Sequence, residues 1–402
     1  MAGFSKKLVM VLGIRPDVIR ASLILRELKN ALGTSFVFLW SGQHYSDNMK
    51  DVFFRQLDVP LPDLTLVLEK GSDQAMIGSL IHQLGSTLAA IDPVAVVFLG
   101  DNNTVTGSIA AAALDIPIVH IEGCMRSYDW RMPEEKYRTM TDHLSDLIYA
   151  YLPEYKEQAV LEGLDPERIV VTGNPIVDVL EHYFLSGQVR LGPNEKADLM
   201  AQLGLLASHY WLMTCHRREN IDTEESLHRI LELARATEEK VVFAAGYRTQ
   251  QKITEFNIEI PINVTMIDPI GYVELMELAT DSVGILTDSG TLVEEAAILG
   301  VPSVQMRTST ERPQVYDTGG SLKFDPHATQ SNFQLKAIID SARSRRGTMG
   351  PHSLGDGKAS ERISADLIQR FESGAWRGHN PDPKRRPISR NYGYGSEDKG
   401  KP

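Results

Sequence analysis

The stretch VAVVFLGDNNTVTGSIAAAALDIPIVHIE, residues 94–122, decides the fold. Its first apolar run, 94–99, has the length of a buried strand and is short for a buried helix. A polar turn, GDNNT at 100–104, follows; then come a small-residue helical pattern at 104–113 and a second apolar run at 116–121. Strand, turn, helix, strand in this order reads as one βαβ unit of a parallel sheet. The rhythm extends outward in both directions. Strands are expected at 8–12, 35–40, 147–151 and 169–172, with helices at 19–31 and 75–91. After VTGNP (171–175) it pauses across a Gly-, Pro- and Asn-containing stretch, 186–194. It restarts with strands at 210–214, 240–245, 263–267, 282–286 and 303–305, and helices at 224–236, 272–279 and 292–299. The pattern predicts two α/β domains with parallel sheets, residues 1–177 and 178–357, and a last helix over 358–373. From Arg377 the chain holds seven basic and three acidic residues, four prolines and four glycines. That segment, 377–402, reads as a polar basic tail without a core.

Composition bounds the function. The chain has 402 residues, 42% of them hydrophobic and 23% charged, enough to bury two cores. Its net charge of −12 argues against a nucleic-acid coat or a basic membrane-surface protein. Two cysteines, Cys124 and Cys215, make no disulfide framework, and no Cys/His spacing suits zinc. The opening MAGFSKKLVMVLGIRP reads as a first strand, not a signal peptide. No window reaches the length of a membrane span. A protein of the reducing cytoplasm is expected, with no nucleic-acid or membrane partner.

In open α/β sheets, ligands sit where strands end and helices begin, and the polar clusters fall at those points. GIRPD (13–17) follows strand one; Arg15 beside a helix N-terminus suits a phosphate or carboxylate, although a capped turn with a solvated arginine accounts for it too. SGQH (41–44) brings Gln43 to the end of strand two. Asp101 follows a fully apolar strand, where it could simply cap the next helix. Glu122 ends another buried strand, and RMPEE (131–135) brings Glu134 and Glu135 across a loop that also carries Arg126. Carboxylates so gathered raise one another's pKa, the usual route to a general acid or base. A metal site is the competing account, disfavoured by the lack of suitably placed histidines.

The second half repeats the arrangement. TCHRREN (214–220) follows a strand, and its His216 and Arg217 suit anion recognition, although a solvated basic loop accounts for them too. LTDSGT (286–291) opens a helix where Ser289 and Gly290 could admit a phosphate and Glu294 or Glu295 could hold ribose hydroxyls. Ordinary capping with acids matched to the dipole is the plainer account. The charged loop RTSTERP (307–313), with Arg312, says little by itself. No P-loop, no GxGxxG after a strand and no GxSxG elbow is present. A nicotinamide or flavin therefore has no evident seat.

Taken together, GIRP, SGQH, GDNNT, the Glu122 loop with PEE, VTGNPIVD, HRREN, LTDSG and TERP resemble the UDP-N-acetylglucosamine 2-epimerase family in order and spacing, over about residues 8–375. The resemblance implies two Rossmann-like domains of the glycosyltransferase-B type around an interdomain cleft, with the final helix crossing back to the first domain. It implies inversion at carbon 2 without redox chemistry or a cofactor. UDP leaves by anti elimination to give 2-acetamidoglucal and adds back after the proton is replaced. It carries acid/base roles to Asp101, Glu122 and Glu134, and a role near the diphosphate to His216. Arg15 would contact the diphosphate, Ser289 and Gly290 its oxygens, and Glu295 the ribose; Gln43, Arg217 and Arg312 complete the substrate-binding set, and no metal is implied. A homodimer is implied as well. The chain departs from the family pattern at Asp17, Arg20, Thr291 and Val293, and at FAAGYR (243–248), where many members carry a PVHPNP-like segment that helps bind an activating second UDP-sugar. Three other functions fit the same scaffold: a hydrolysing epimerase releasing UDP and N-acetylmannosamine, an epimerase of another UDP-N-acetylhexosamine, and a protein that only binds nucleotide sugars or transfers from them.

Overall fold

A computed structural model describes residues 6–42, 57–69 and 71–376. Each half is built on a parallel sheet. The first contains β1 (Leu8–Leu12), β2 (Phe36–Trp40), β3 (Leu64–Thr65), β4 (Ala95–Leu99), β5 (Ile118–Ile121), β6 (Leu147–Ala150) and β7 (Ile169–Val171), in the order β3-β2-β1-β4-β5-β6-β7. The second contains β8 (Tyr210–Thr214), β9 (Lys240–Ala244), β10 (Val264–Ile267), β11 (Gly284–Thr287), β12 (Ser303–Met306) and β13 (Ser321–Phe324), in the order β10-β9-β8-β11-β12-β13. The two sheets thus share one winding.

All five residues of β1 are buried. Strands covered on both faces carry no polar alternation, so such a strand reads as a continuous apolar run. Successive side chains still point to opposite faces. Leu8, Met10 and Leu12 join the apolar cluster under the helix Arg15–Leu32, whereas Val9 and Val11 join the one containing Leu80, Leu84 and Leu88 of the helix Asp73–Ile91. The first cluster continues into Tyr210, Leu212 and Ile285 of the second sheet. The last helix, Ala359–Ser373, packs against Arg15–Leu32. Tyr149 Oη at the end of β6 donates to Asp366 across 2.7 Å, and Asp178 accepts the Ser360 amide across 2.9 Å.

This winding leaves two topological switch points, between β1 and β4 and between β8 and β11. Chains leave those neighbouring strands in opposite directions, opening a crevice at the carboxyl ends. GIRP and GDNNT stand at the first crevice; CHRR and TDSG stand at the second.

Several expected elements differ in detail. The helix expected over 104–113 divides into a 3₁₀ turn, Asn103–Gly107, and a helix, Ser108–Ala113. Asn102 starts the turn by accepting the Thr104 amide, and a Cβ at Gly107 would stand 2.5 Å from Leu84 Cδ2. The helix expected from residue 19 begins at Arg15, with Pro16 in its first turn. The pause at 186–194 lies between a π-helical turn, Leu180–Leu185, and a helix, Pro193–Gln202. β3 and β13 were not expected. They are edge strands with exposed or mixed faces and lack the apolar signal of the interior strands. Gln43 and the tail 377–402 lie outside the described residues.

Candidate active site

Glu122 closes β5 with φ at 71°, a left-handed conformation that is uncommon for a residue with a side chain and collects at functional sites. Its side chain is buried between cations. Arg312 Nη2 donates to Oε1 across 2.6 Å, while Arg20 and the Tyr151 hydroxyl donate to Oε2, the latter across 3.0 Å. Arg20 stands five residues after Arg15, on the same helix, and also holds Asp17 across 2.8 Å.

Asp101 follows β4 and is partly exposed to the cleft. Burial pushes its carboxyl up, but Arg138, Arg312 and Arg20 more than offset this and hold it below the usual carboxylate value. Arg138 donates directly to Oδ2. Glu134 differs. It sits in the first turn of the helix Pro133–Leu144, and its carboxyl is raised by burial and then by the charge of Asp101. Its neighbour Glu135 is turned inward, accepting from the Ser127 and Tyr128 amides and from Arg138. So Glu134 faces the cleft, while Glu135 holds the loop after Glu122.

In the second domain Asp288, fully buried after β11, organises the loop after β8. Its carboxylate accepts the His216 amide at 3.0 Å, the Arg217 amide at 2.9 Å and Asn220 Nδ2 at 3.0 Å. The His216 imidazole is left exposed to the cleft, with Nδ1 3.4 Å from Asp288. Ser289 caps the helix Gly290–Leu299 by accepting the Leu292 amide across 3.3 Å. Gly290 lies close under the Arg312 guanidinium: a Cβ there would stand 2.7 Å from Nη1, so the arginine would have to shift. Arg312 itself is surrounded by three carboxylates, Glu122, Glu311 and Glu294, the last at 3.1 Å from Nε.

Two adjoining cavities occupy the cleft. One, of about 750 Å³, is lined by Asp101, Glu134, His216, Arg217, Gly290 and Arg312. The other, of about 540 Å³, has a more apolar wall including Ile270, Tyr272 and Leu275, with Arg15 and Glu295 among its polar groups. Ile14, Pro16, His216, Ser289 and Thr291 border both. Pockets of this size, apolar with a few convergent polar groups, suit a cofactor-sized ligand. Burial raises the Glu295 carboxyl to about 7, against the hydrogen bond that Tyr272 donates across 2.9 Å. Burial also lowers Arg15, with Glu274 opposing.

The cleft therefore brings together Asp101, Glu134, His216, Arg217, Ser289, Gly290 and Arg312, with Arg15 and Glu295 next door. Glu122 lies just beneath, both its oxygens engaged. Three residues that the sequence reading gave no role complete the arrangement: Arg138, Asp288 and Tyr151. Asp288 had a signal, since an acid before Ser-Gly at a strand end can reach a neighbouring loop. Arg138 and Tyr151 had none. Among the described residues no group of three His, Cys, Asp or Glu side chains is placed to hold a metal ion, and no helix is long and apolar enough to cross a membrane.

A family profile described as UDP-N-acetylglucosamine 2-epimerase matches residues 26–368. The UDP-N-acetylglucosamine 2-epimerase of Methanocaldococcus jannaschii is 33% identical over 367 residues, covering 89% of this chain and 97% of that protein. The UDP-2,3-diacetamido-2,3-dideoxy-D-glucuronate 2-epimerase of Pseudomonas aeruginosa is 30% identical, covering 90% and 99%. Among solved structures, the M. jannaschii enzyme in complex with UDP-GlcNAc and UDP superposes with a TM-score of 0.81 at 31% identity, over 90% of this chain and 99% of that one.

Proposed function

This chain belongs to the UDP-N-acetylglucosamine 2-epimerase family, and from that premise we propose that it interconverts UDP-N-acetylglucosamine and UDP-N-acetylmannosamine as precursors of surface polysaccharide. It is an isomerase. The observation that carries the reading is the presence of Asp101, held by arginine, and Glu134, raised by burial, in one cleft that is also lined by the helix N-terminus at Ser289 and Gly290.

A C2 proton beside an anomeric carbon is barely acidic unless the diphosphate departs as it leaves. The C2–H pair becomes the C1=C2 double bond of 2-acetamidoglucal while the C1–O bond breaks. Reversal with a proton delivered to the other face inverts C2. Asp101, Glu122 and Glu134 are the acid/base set for these transfers. Arg15, His216 and Arg217, with the amides at Ser289 and Gly290, face the diphosphate, where cations and a helix N-terminus favour the developing charge. Glu295 receives ribose hydroxyls, the wall at Ile270, Tyr272 and Leu275 receives the base, and Gln43 and Arg312 serve binding. The same family premise extends the proposal to a homodimer in the cytoplasm, the first of which light scattering tests.

Incubation with UDP-N-acetylglucosamine in deuterated water, followed by proton NMR, tests the chemistry. UDP-N-acetylmannosamine deuterated at C2 is expected; stoichiometric UDP with free sugar would overturn the reading. The P. aeruginosa relative favours one second reading, the same inversion on a diacetamido or glucuronate sugar. A substrate panel separates the two.

A further inference from the structure

Arg138 reaches two acidic elements of the site at once. Its side chain is 2% exposed, with Nη2 on Asp101 Oδ2 and Nη1 2.8 Å from Glu135 Oε2. Asp101 belongs to the end of β4. Glu135 belongs to the helix that presents Glu134, and it fixes the loop after Glu122 through the Ser127 and Tyr128 amides. One guanidinium therefore sets the separation of Asp101 and Glu134 and places its charge against only the first. Inversion at one carbon needs this asymmetry. A proton leaves one face to an ionised group, and another reaches the opposite face from a protonated group.

Resting on the epimerase reading above, we propose that Arg138 is a positioning residue: it keeps Asp101 as the ionised partner that takes the C2 proton, and it holds Glu134 where it returns a proton to the other face. Electron and proton balance close with solvent water alone, which afterwards takes the proton from Asp101 and re-protonates Glu134. The C2–H pair forms the double bond as the diphosphate departs; that pair then takes the Glu134 proton as the C1–O bond re-forms. Other charges also face Asp101: Arg20 and Asp17 from the helix Arg15–Leu32, Glu134 from the helix Pro133–Leu144, and Glu311 and Arg312 from the loop after β12. Among the described residues, Arg138 is the one that donates to its Oδ2.

The test uses the full chain with Arg138→Met, Arg138→Lys and Glu135→Gln. Arg138→Met is expected to lower kcat by about 100-fold or more, the scale of lost acid–base catalysis, with UDP affinity kept. The acid limb of its kcat profile moves to higher pH, because Asp101 without its cation ionises later. Arg138→Lys restores the limb while recovering rate only in part, since one ammonium cannot hold both carboxylates. Glu135→Gln leaves Asp101 its cation, so rate falls with the limb unmoved. Loss of rate in Arg138→Lys and Glu135→Gln that tracks lost thermal stability, with no movement of the limb in Arg138→Met, overturns the proposal. If Arg138→Met does not fold, the lysine variant decides: a lowered rate with the limb and UDP affinity kept supports the proposal, and full rate sinks it. Failure of the wild-type chain to exchange the C2 proton in deuterated water would instead overturn the epimerase reading.

Discussion

Arg312 and Glu122 join the two domains: Nη2 of the arginine, on the loop after β12, lies 2.6 Å from Oε1 of the glutamate at the end of β5. Both are almost fully buried, and Arg312 also faces Glu294 and Glu311. Removing one partner of a buried pair leaves uncompensated charge at a cost of about 3–5 kcal/mol. Arg312→Met is therefore expected to lose about that much stability, and Glu122→Gln less, because Arg312 keeps two carboxylates. Urea unfolding measures both. A loss below 1 kcal/mol in Arg312→Met, on the order of an exposed pair, would show that the contact does not hold the domains together.

Glu295 makes nucleotide binding depend on protons. Its carboxyl stands at about 7 in the unliganded protein because it is buried. Ribose hydroxyls would donate to the ionised form and so lower that value. Binding below pH 7 then releases a proton, and UDP affinity rises with pH until it levels above 7. Calorimetry in two buffers of different ionisation enthalpy counts the proton. Glu295→Gln should abolish the release; equal release in wild type and variant would remove the ribose role.

What could be read from the sequence follows from which signals are local. The run at 8–12 and the acids at strand ends need only their neighbours to be read, and β1, Asp101 and Glu122 stand where they were expected. The helix Pro193–Gln202 has no buried residue, so it lacked an apolar stripe. Arg138 looks like one more surface arginine in PEEKYRTMTDHL, yet it is buried against Asp101 and Glu135. Arg312 sits in a charged loop whose meaning comes from Glu122 and Glu294, two carboxylates on other elements. Pairings of that kind are tertiary and leave no periodicity.

Asp288 should control UDP affinity through the shape of the loop that carries His216. It accepts two loop amides and Asn220 Nδ2 at 2.9–3.0 Å, and hydrogen bonds to a charged group contribute about 1.5–3 kcal/mol each. Asp288→Asn keeps the size but sets an NH₂ group against those donors. UDP binding should weaken by about tenfold or more, the equivalent of 1.4 kcal/mol. Titration calorimetry reads this directly. Unchanged affinity would mean that the loop keeps its shape by other contacts.

Asp17 predicts how stability should change with pH. Burial raises its carboxyl to about 6, although Arg20 and Asn102 oppose the rise. Its value in the folded chain is thus above the ordinary 3.8. The fold favours the protonated form, so this contribution is present below about pH 4 and is lost as pH rises through 6. Asp17→Asn removes the titration. The stability difference, wild type minus variant, should therefore fall between pH 4 and 6 by on the order of 3 kcal/mol, at about 1.4 kcal/mol per pKa unit. Glu295→Gln should give a similar decline displaced toward pH 7, which separates the two groups. Urea midpoints collected from pH 4 to 8 decide the matter: a difference for Asp17→Asn that stays flat or rises with pH would mean that Arg20 and Asn102 outweigh burial and keep Asp17 ionised throughout.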